Sequence, residues 1–398
     1  MKIKKLETII GHPTEDVNVR QNKLRSEAFC NTGIGSWFYV KVHTDEGITG
    51  LGEGGFLHRG HTLKAYIEEI EKRLIGKDPL NIEHIWQDLY RHPYERGGPI
   101  IMTTLGAIDI ALWDIAGKYF NAPVYKLLGG KCRDKIRVYV SININSEPPE
   151  KIAAKARTAV DKGYTAIRFT LADNHENMSL ARLIKHNSKY FKTVRKEVGD
   201  DVDIAIEVHR RLRLFEAIAL AKELEQYNLI FMEDPIMPES INAMAEIASR
   251  TNIPIATGEN LYTLYQFQEL IEKRAAKMMR IDLCLAGGIS QAKKIAALAE
   301  ANFLGVIPHQ CWSPVATAAY VNFVASIHNF IILEYTPEDN FPKNQLVDEC
   351  LEIKDGYLKL PERPGIGIEL NDEFVKSMPY TQCEIPTLIR KDGSITDW

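Results

Sequence analysis

Apolar and polar positions follow three different patterns along the chain, and each predicts a different kind of element. From about residue 135 onward, eight short runs rich in β-branched and aromatic residues read as strands: RVYVSI (137–142), YTAIRFT (164–170), VDIAIEV (202–208), LIFME (229–233), IPIATG (253–258), MRIDLCL (279–285), FLGVIP (303–308) and FIILE (330–334). Between them, stretches such as 150–163, 214–227 and 288–303 carry apolar residues every three or four positions, the stripe of an amphipathic helix. Strand alternating with helix implies parallel strands joined by crossover helices. Eight such strands close a (β/α)8-type TIM barrel, or its modified (β/α)7β form. An open doubly wound sheet satisfies the same alternation, but no G-x-G-x-x-G follows the first strand of any unit.

The first 130 residues read differently. Residues 36–54 predict a hairpin turning at Asp45-Glu46-Gly47, and helical patterns follow at 62–75 and 102–119. Strands first and helices later is an α+β signature. The tail from about residue 351 has hairpin and turn signals and is expected to pack back near the amino-terminal module. The chain therefore divides into an α+β module (1–130), a barrel (131–350) and a carboxy-terminal segment (351–398).

Composition narrows the function classes. A chain of 398 residues with a formal net charge of −4 has no electrostatic footprint for nucleic acid or an anionic membrane. No apolar stretch approaches the roughly 20 residues that span a bilayer, and no signal-peptide core opens the chain, so a cytoplasmic protein is expected. Cys30, Cys132, Cys284, Cys311, Cys350 and Cys383 form no C-x-x-C pair, which predicts reduced thiols rather than disulfides or a zinc site.

In a barrel of this type chemistry sits at the carboxyl ends of the strands, so the residues that end them carry the functional signal. Strand three ends on Glu207, strand four on Glu233 and strand five on Glu259, each 26 residues from the last, one βα unit apart. Three carboxylates converging on one mouth would raise one another's pKa, which favours a divalent cation between them. Hard oxygen ligands from three side chains suit Mg²⁺, and Mn²⁺ fits the same set. The alternative is that these acids cap the following helices, although glutamate is not a preferred cap. Asp234 is the better cap candidate.

His209, two residues after Glu207, should share its face of the strand and lean over the same mouth, as a structural group, a further ligand or an acid/base. Arg168 and Thr170 share a face at the end of strand two, where the guanidinium could bind a substrate carboxylate or form an ion pair. Asp282, His309 and Glu334 end strands six to eight. An aspartate beside a histidine on the next strand is the orienting arrangement of a base dyad. The glycines of LAGGIS (285–290) could cradle a phosphate at a helix amino terminus.

Taken together, E-x-H, E-D-P, G-E-N, I-D, P-H and L-E at successive strand ends resemble the mandelate-racemase type of the enolase superfamily, and within it the acid-sugar dehydratases. The resemblance covers nearly the whole chain and includes 105–139, similar to the family's segment leading into the barrel. It implies a capping domain at 1–130 that the tail completes. It also implies Mg²⁺ held by Glu207, Glu233 and Glu259, and removal of the proton α to a substrate carboxylate to give an enediolate. His309, oriented by Asp282, would be one acid/base and His209 the other, with Glu334 orienting the enediolate oxygen.

Strand two has Arg168-Phe169-Thr170 where racemases and cycloisomerases have lysines, which points to loss of water and a 2-keto-3-deoxy sugar acid. A histidine pair resembles galactonate-type dehydratases, while DGSITDW (392–398) resembles the mannonate branch. Glu207 stands where the family usually has Asp, and 171–182 lacks the tyrosine-bearing insertion of the mannonate enzymes. The resemblance further implies a sugar-acid substrate, a homo-oligomer, and specificity loops at 12–37 and 90–99. An epimerase or cycloisomerase using the same enediolate, or a catalytically silent relative, would share these residues.

Overall fold

The computed structural model describes residues 1–12, 36–55, 59–171, 177–381 and 387–396. The expected specificity loop at 12–37 lies almost wholly outside them, as do Cys30, Cys383, part of 171–182 and the last two residues.

The amino-terminal module is a three-stranded antiparallel sheet, β1 (Ile3–Gly11), β2 (Trp37–Thr44) and β3 (Thr49–Gly54). The predicted turn is present, with Gly47 at φ 84°, a conformation glycine adopts without strain. Helices α1 (Gly60–Leu74), α2 (Ile82–Arg91) and α3 (Gly98–Tyr119) cover it. The sequence reading did not anticipate α2. Glycines at 50 and 52 let β3 press against α3: a Cβ there would stand 2.0 Å from the carbonyl oxygens of Ala111 and Ala107. At 22 residues, α3 is long and apolar enough to cross a membrane, against the expectation that no stretch approached that length. Most of it is buried, so it is a core helix.

After the short α4 (Val124–Leu127) the chain alternates: β4 (Lys135–Ile142), α5 (Pro149–Asp161), β5 (Ala166–Thr170), α6 (Leu180–Val198), β6 (Asp203–Glu207), α7 (Leu214–Leu224), β7 (Phe231–Glu233) and α8 (Ile241–Ser249). It continues with β8 (Ile255–Thr257), α9 (Leu264–Glu272), β9 (Met278–Met279), α10 (Gly288–Ala301), β10 (Gly305–Val306), α11 (Pro314–Ala325) and β11 (Leu333–Glu334). Consecutive strands from β4 to β10 pair in parallel, β11 pairs with β4, and a bridge between Val306 and Phe330 closes the ring. The fold is a (β/α)7β TIM barrel with an α+β capping domain.

All eight predicted strands are present, but the sixth is much shorter than MRIDLCL. Asp282 accepts the Cys284 amide at 2.7 Å, and its carbonyl accepts from Leu285 and Ala286. An aspartate that bonds its own downstream backbone makes a turn in place of a ladder.

The tail goes to two places. The hairpin β12 (Ile353–Lys354) and β13 (Tyr357–Lys359), turning at Asp355-Gly356 with both φ positive, pairs with the start of β4 on the barrel. Beyond α12 (Lys343–Leu346) and this hairpin, the chain touches the capping module. Asp372 at the start of α13 (Asp372–Lys376) pairs with Lys41 at 2.6 Å, and Pro379 bridges to Gly11. A small hairpin, β14 (Leu388–Ile389) and β15 (Ile395–Thr396), follows.

Candidate active site

One side chain from every strand forms an apolar floor inside the barrel: Tyr139, Ala166, Ala205, Phe231, Ala256, Met278, Ile307 and Ile332. Strand periodicity puts the next inward side chain two residues on. That step reaches Ser141, Arg168, Glu207, Glu233, Arg280, His309 and Glu334, so an apolar layer is overlain by a charged one. Only strand five deviates: Gly258 at φ 134° delays its acid by one residue, to Glu259.

The structure brings all eight predicted residues together. Glu207, Glu233 and Glu259 are buried and offer carboxylate oxygens that lie within 4.8 Å of one another. None caps a helix: α8 and α9 are capped by Ser240 and Thr263, and Arg213 precedes α7. Asp234 caps nothing either, since it pairs with Arg210 at 3.1 Å. A cavity of about 340 Å³ opens above, lined by Arg168, Glu207, His209, Glu259, His309 and Glu334 and walled by Ser141, Asn143, Asn145, Thr170 and Arg211. None of the residues 90–99, expected as a specificity loop, lines it.

His209 reaches the cavity by a different route from the one expected. The strand stops at Glu207, and His209 and Arg210 take φ of 59° and 66°. The His209 amide donates to Glu207 Oε1 at 2.7 Å, which holds this bend against the ligand cluster. Burial and then Arg210 lower the His209 pKa to about 3.

His309 Nδ1 lies 2.6 Å from Asp282 Oδ2, leaving Nε2 facing Glu259 at 3.7 Å. Asp282 is fully buried and also accepts from Trp312 Nε1 at 2.9 Å and Tyr320 OH at 2.8 Å, so the imidazole is fixed from behind. Burial opposes charge on His309, but Glu259 outweighs it and holds the pKa well above the usual histidine range.

Arg168 is committed to acids of the barrel. One guanidinium nitrogen sits 2.7 Å from Glu233 and 2.9 Å from Glu207, and another is 2.5 Å from Glu334. Arg280, which the sequence reading missed, sits 2.6 Å from Glu233 and 2.6 Å from Glu334. Its signal was available: it follows Met278 by two in MMRID, and strand alternation turns it inward. Attention to the acids alone passed over it. Arg210 pairs with Glu259.

The LAGGIS segment is no phosphate cradle. Asp109, from α3, accepts the Ser290 amide at 3.0 Å and fills the amino terminus of α10.

The donor set fits a divalent cation on two counts. Six carboxylates (Glu207, Glu233, Asp234, Glu259, Asp282 and Glu334) meet three guanidiniums and one imidazolium, and the acids still outnumber the cations when Arg211 on the cavity wall is counted. Burial keeps the Glu207 carboxyl above its ordinary range and Glu233 well above it, despite Arg168. Arg168 and Arg280 by contrast pull Glu334 down to about 2 against its burial. The guanidiniums thus leave part of the ligand set unneutralised.

Comparison with known proteins follows the same outline. Residues 15–129 match the mandelate racemase / muconate lactonizing enzyme amino-terminal domain, and 151–374 match the enolase carboxy-terminal domain-like family. The D-galactonate dehydratase of Cronobacter sakazakii is 33% identical over 372 residues, covering 91% of this chain and 96% of its own. That of Ralstonia pickettii is also 33% identical with the same coverage. Among solved structures, an enolase from Agrobacterium radiobacter, provisionally assigned as a galactarate dehydratase and holding Na and L-malate, superposes with a TM-score of 0.89 at 30% identity over 100% of both chains. A protein from Salmonella enterica serovar Typhimurium, provisionally assigned as a dehydratase, gives 0.84 at 34% identity over 95% of this chain and 99% of its own.

Proposed function

The chain belongs to the mandelate racemase and muconate lactonizing enzyme family of the enolase superfamily, among its acid-sugar dehydratases, and on that premise we propose that it removes water from an aldonate, giving a 2-keto-3-deoxy sugar acid. The observation that carries this reading is the His309–Asp282 dyad facing three buried carboxylates across one polar cavity.

Glu207, Glu233 and Glu259 would hold the divalent ion, Mg²⁺ by preference. When bound, it supplies the positive charge that lowers the cost of developing negative charge on the substrate carboxylate. The rest falls to the chain's own groups. His309 Nε2 takes the proton from C2, and Asp282 stabilises the imidazolium that results. The C2–H electron pair becomes the C1–C2 double bond of an enediolate, whose oxygens face Glu334 and its two arginines. His209, neutral in the resting site, relays a proton to the C3 hydroxyl, taking one up from solvent as it gives one, and the hydroxyl leaves as water as the enol forms. Ketonisation then adds a solvent proton at C3.

With the mouth's excess negative charge uncompensated, Glu259 keeps His309 protonated. The base role belongs to the state in which that charge is shared. Ser141, Asn143, Asn145 and Thr170 are suited to the hydroxyls of a sugar acid. A cytoplasmic homo-oligomer acting on a small molecule, without nucleic-acid or membrane partners, is part of the same proposal.

The test is a panel of sugar acids, D-galactonate first, with Mg²⁺ or Mn²⁺ and semicarbazide detection of 2-keto acids. One or a few acids should turn over. Epimerised or exchanged substrate without keto product would replace dehydration with epimerase chemistry.

A further inference from the structure

Arg280 has no exposed surface and does not line the mouth cavity, so it does not touch a substrate bound there. Yet it lies in the charged layer among the proposed ligands. One nitrogen is 2.6 Å from Glu233, 2.6 Å from Glu334 and 3.5 Å from Glu259, and another donates to Tyr139 OH at 2.7 Å. Glu233 is fully buried, and both of its oxygens are already bonded to guanidiniums: Oε1 to Arg168 and Arg280, Oε2 to Arg168. An incoming cation would have to share Glu233 with them.

We propose that Arg280 is a resident counter-ion of the metal site, which holds Glu233, Glu259 and Glu334 in place without metal and weakens divalent-cation binding by competing for Glu233. The proposal rests on the three-glutamate ligand set put forward above. Its physical basis is simple. A buried carboxylate cluster needs compensating charge at all times, and a guanidinium tied into the same ring supplies it permanently. That fixed positive charge also repels a second cation a few ångströms away, in a medium where such repulsion is strong.

The consequence separates this role from a merely structural one. Replacing Arg280 should lower stability without metal and raise affinity for metal. A residue that only packs would lower both.

The experiment uses full-length protein stripped with EDTA, comparing wild type, Arg280→Gln and Arg280→Lys. Mn²⁺ binding is read by electron paramagnetic resonance and thermal unfolding is followed with and without Mg²⁺. Arg280→Gln should bind Mn²⁺ about tenfold or more tightly than wild type. Its midpoint should drop in EDTA and recover most of the loss in saturating Mg²⁺, while wild type shifts little. Arg280→Lys, which keeps the charge, should bind Mn²⁺ within about threefold of wild type. If Arg280→Gln folds only with metal present, Mg²⁺-dependent refolding supports the same conclusion. Unchanged or weaker Mn²⁺ binding by Arg280→Gln overturns the proposal, as does a stability loss that Mg²⁺ does not repair. Tight Mn²⁺ binding without sugar-acid turnover would sink the proposed function and leave the counter-ion role standing.

Discussion

The molecule buries acidic side chains in two regions and compensates them in opposite ways. At the barrel mouth, Glu207, Glu233, Glu259 and Glu334 face guanidiniums. At the seam between capping domain and barrel, the partners are chiefly backbone amides, with the Ser313 hydroxyl at Glu53 and Lys118 beside Asp114 at 2.9 Å. Glu53 of β3 accepts from the Ser313 hydroxyl at 2.5 Å and from the Ala316 amide at 2.9 Å, capping α11 from another domain. Asp109 does the same for α10. Asp114 joins β3 to the tail, accepting the Leu51 amide at 2.9 Å and the Ile366 amide at 2.8 Å.

The difference is in what can be exchanged. An amide donor at a helix start is fixed and carries only a partial charge, so the acid it meets is a fastener between segments. A guanidinium carries a full charge and can share its carboxylate with a metal ion. Residue type alone does not distinguish the two uses, because Glu53 and Glu233 are both buried glutamates.

The largest expected effect comes from breaking the mouth. Glu233→Gln should cut kcat/KM by about 10²–10³-fold or more and abolish tight Mn²⁺ binding, measured by steady-state kinetics and by electron paramagnetic resonance. Unaltered turnover would place the metal elsewhere. The seam should respond in stability instead. Glu53→Ala leaves the buried amide of Ala316 without its acceptor and should cost about 1–3 kcal/mol in urea unfolding, with turnover per folded molecule kept within a few-fold. A large loss of kcat at unchanged stability would erase the distinction between the regions.

The smallest effect is a pH slope. Burial raises the carboxyls of Glu53 and Asp109 to about 7. Between the ordinary carboxylate range and that value the native state holds protons the unfolded chain has released, so stability declines as pH rises through this window. Unfolding midpoints for wild type and Glu53→Gln at pH 5.5 and 7.5 read the contribution directly. The variant's curve should be flatter, and an identical slope would mean that Glu53 titrates as an ordinary acid.

Much of the mouth was legible in the sequence because a barrel imposes its own geometry. Once eight strands are recognised, equivalent positions must face one another, and the 26-residue recurrence of Glu207, Glu233 and Glu259 then has few meanings. What escaped follows the limits of that logic. Arg280 obeys strand alternation but was hidden by a strand only two residues long. His209 was placed correctly for an incorrect reason, since a left-handed bend rather than an extended strand carries it. Helix α2 does carry a local apolar stripe, Ile82, Ile85, Trp86, Leu89 and Tyr90, whereas the seam acids depend on partners far along the chain: Glu53 lies 260 residues from Ser313, and no local pattern announces that pairing.

The central claim is that the mouth removes the proton α to a carboxylate, with His309 as base. The most direct measurement is to run the reaction of the best substrate in D₂O and follow it by proton NMR, for wild type and His309→Asn at matched metal saturation. The account predicts a 2-keto-3-deoxy product with one deuteron at C3 from wild type, and no C2–H cleavage by His309→Asn. Undiminished C2–H cleavage by His309→Asn would contradict it.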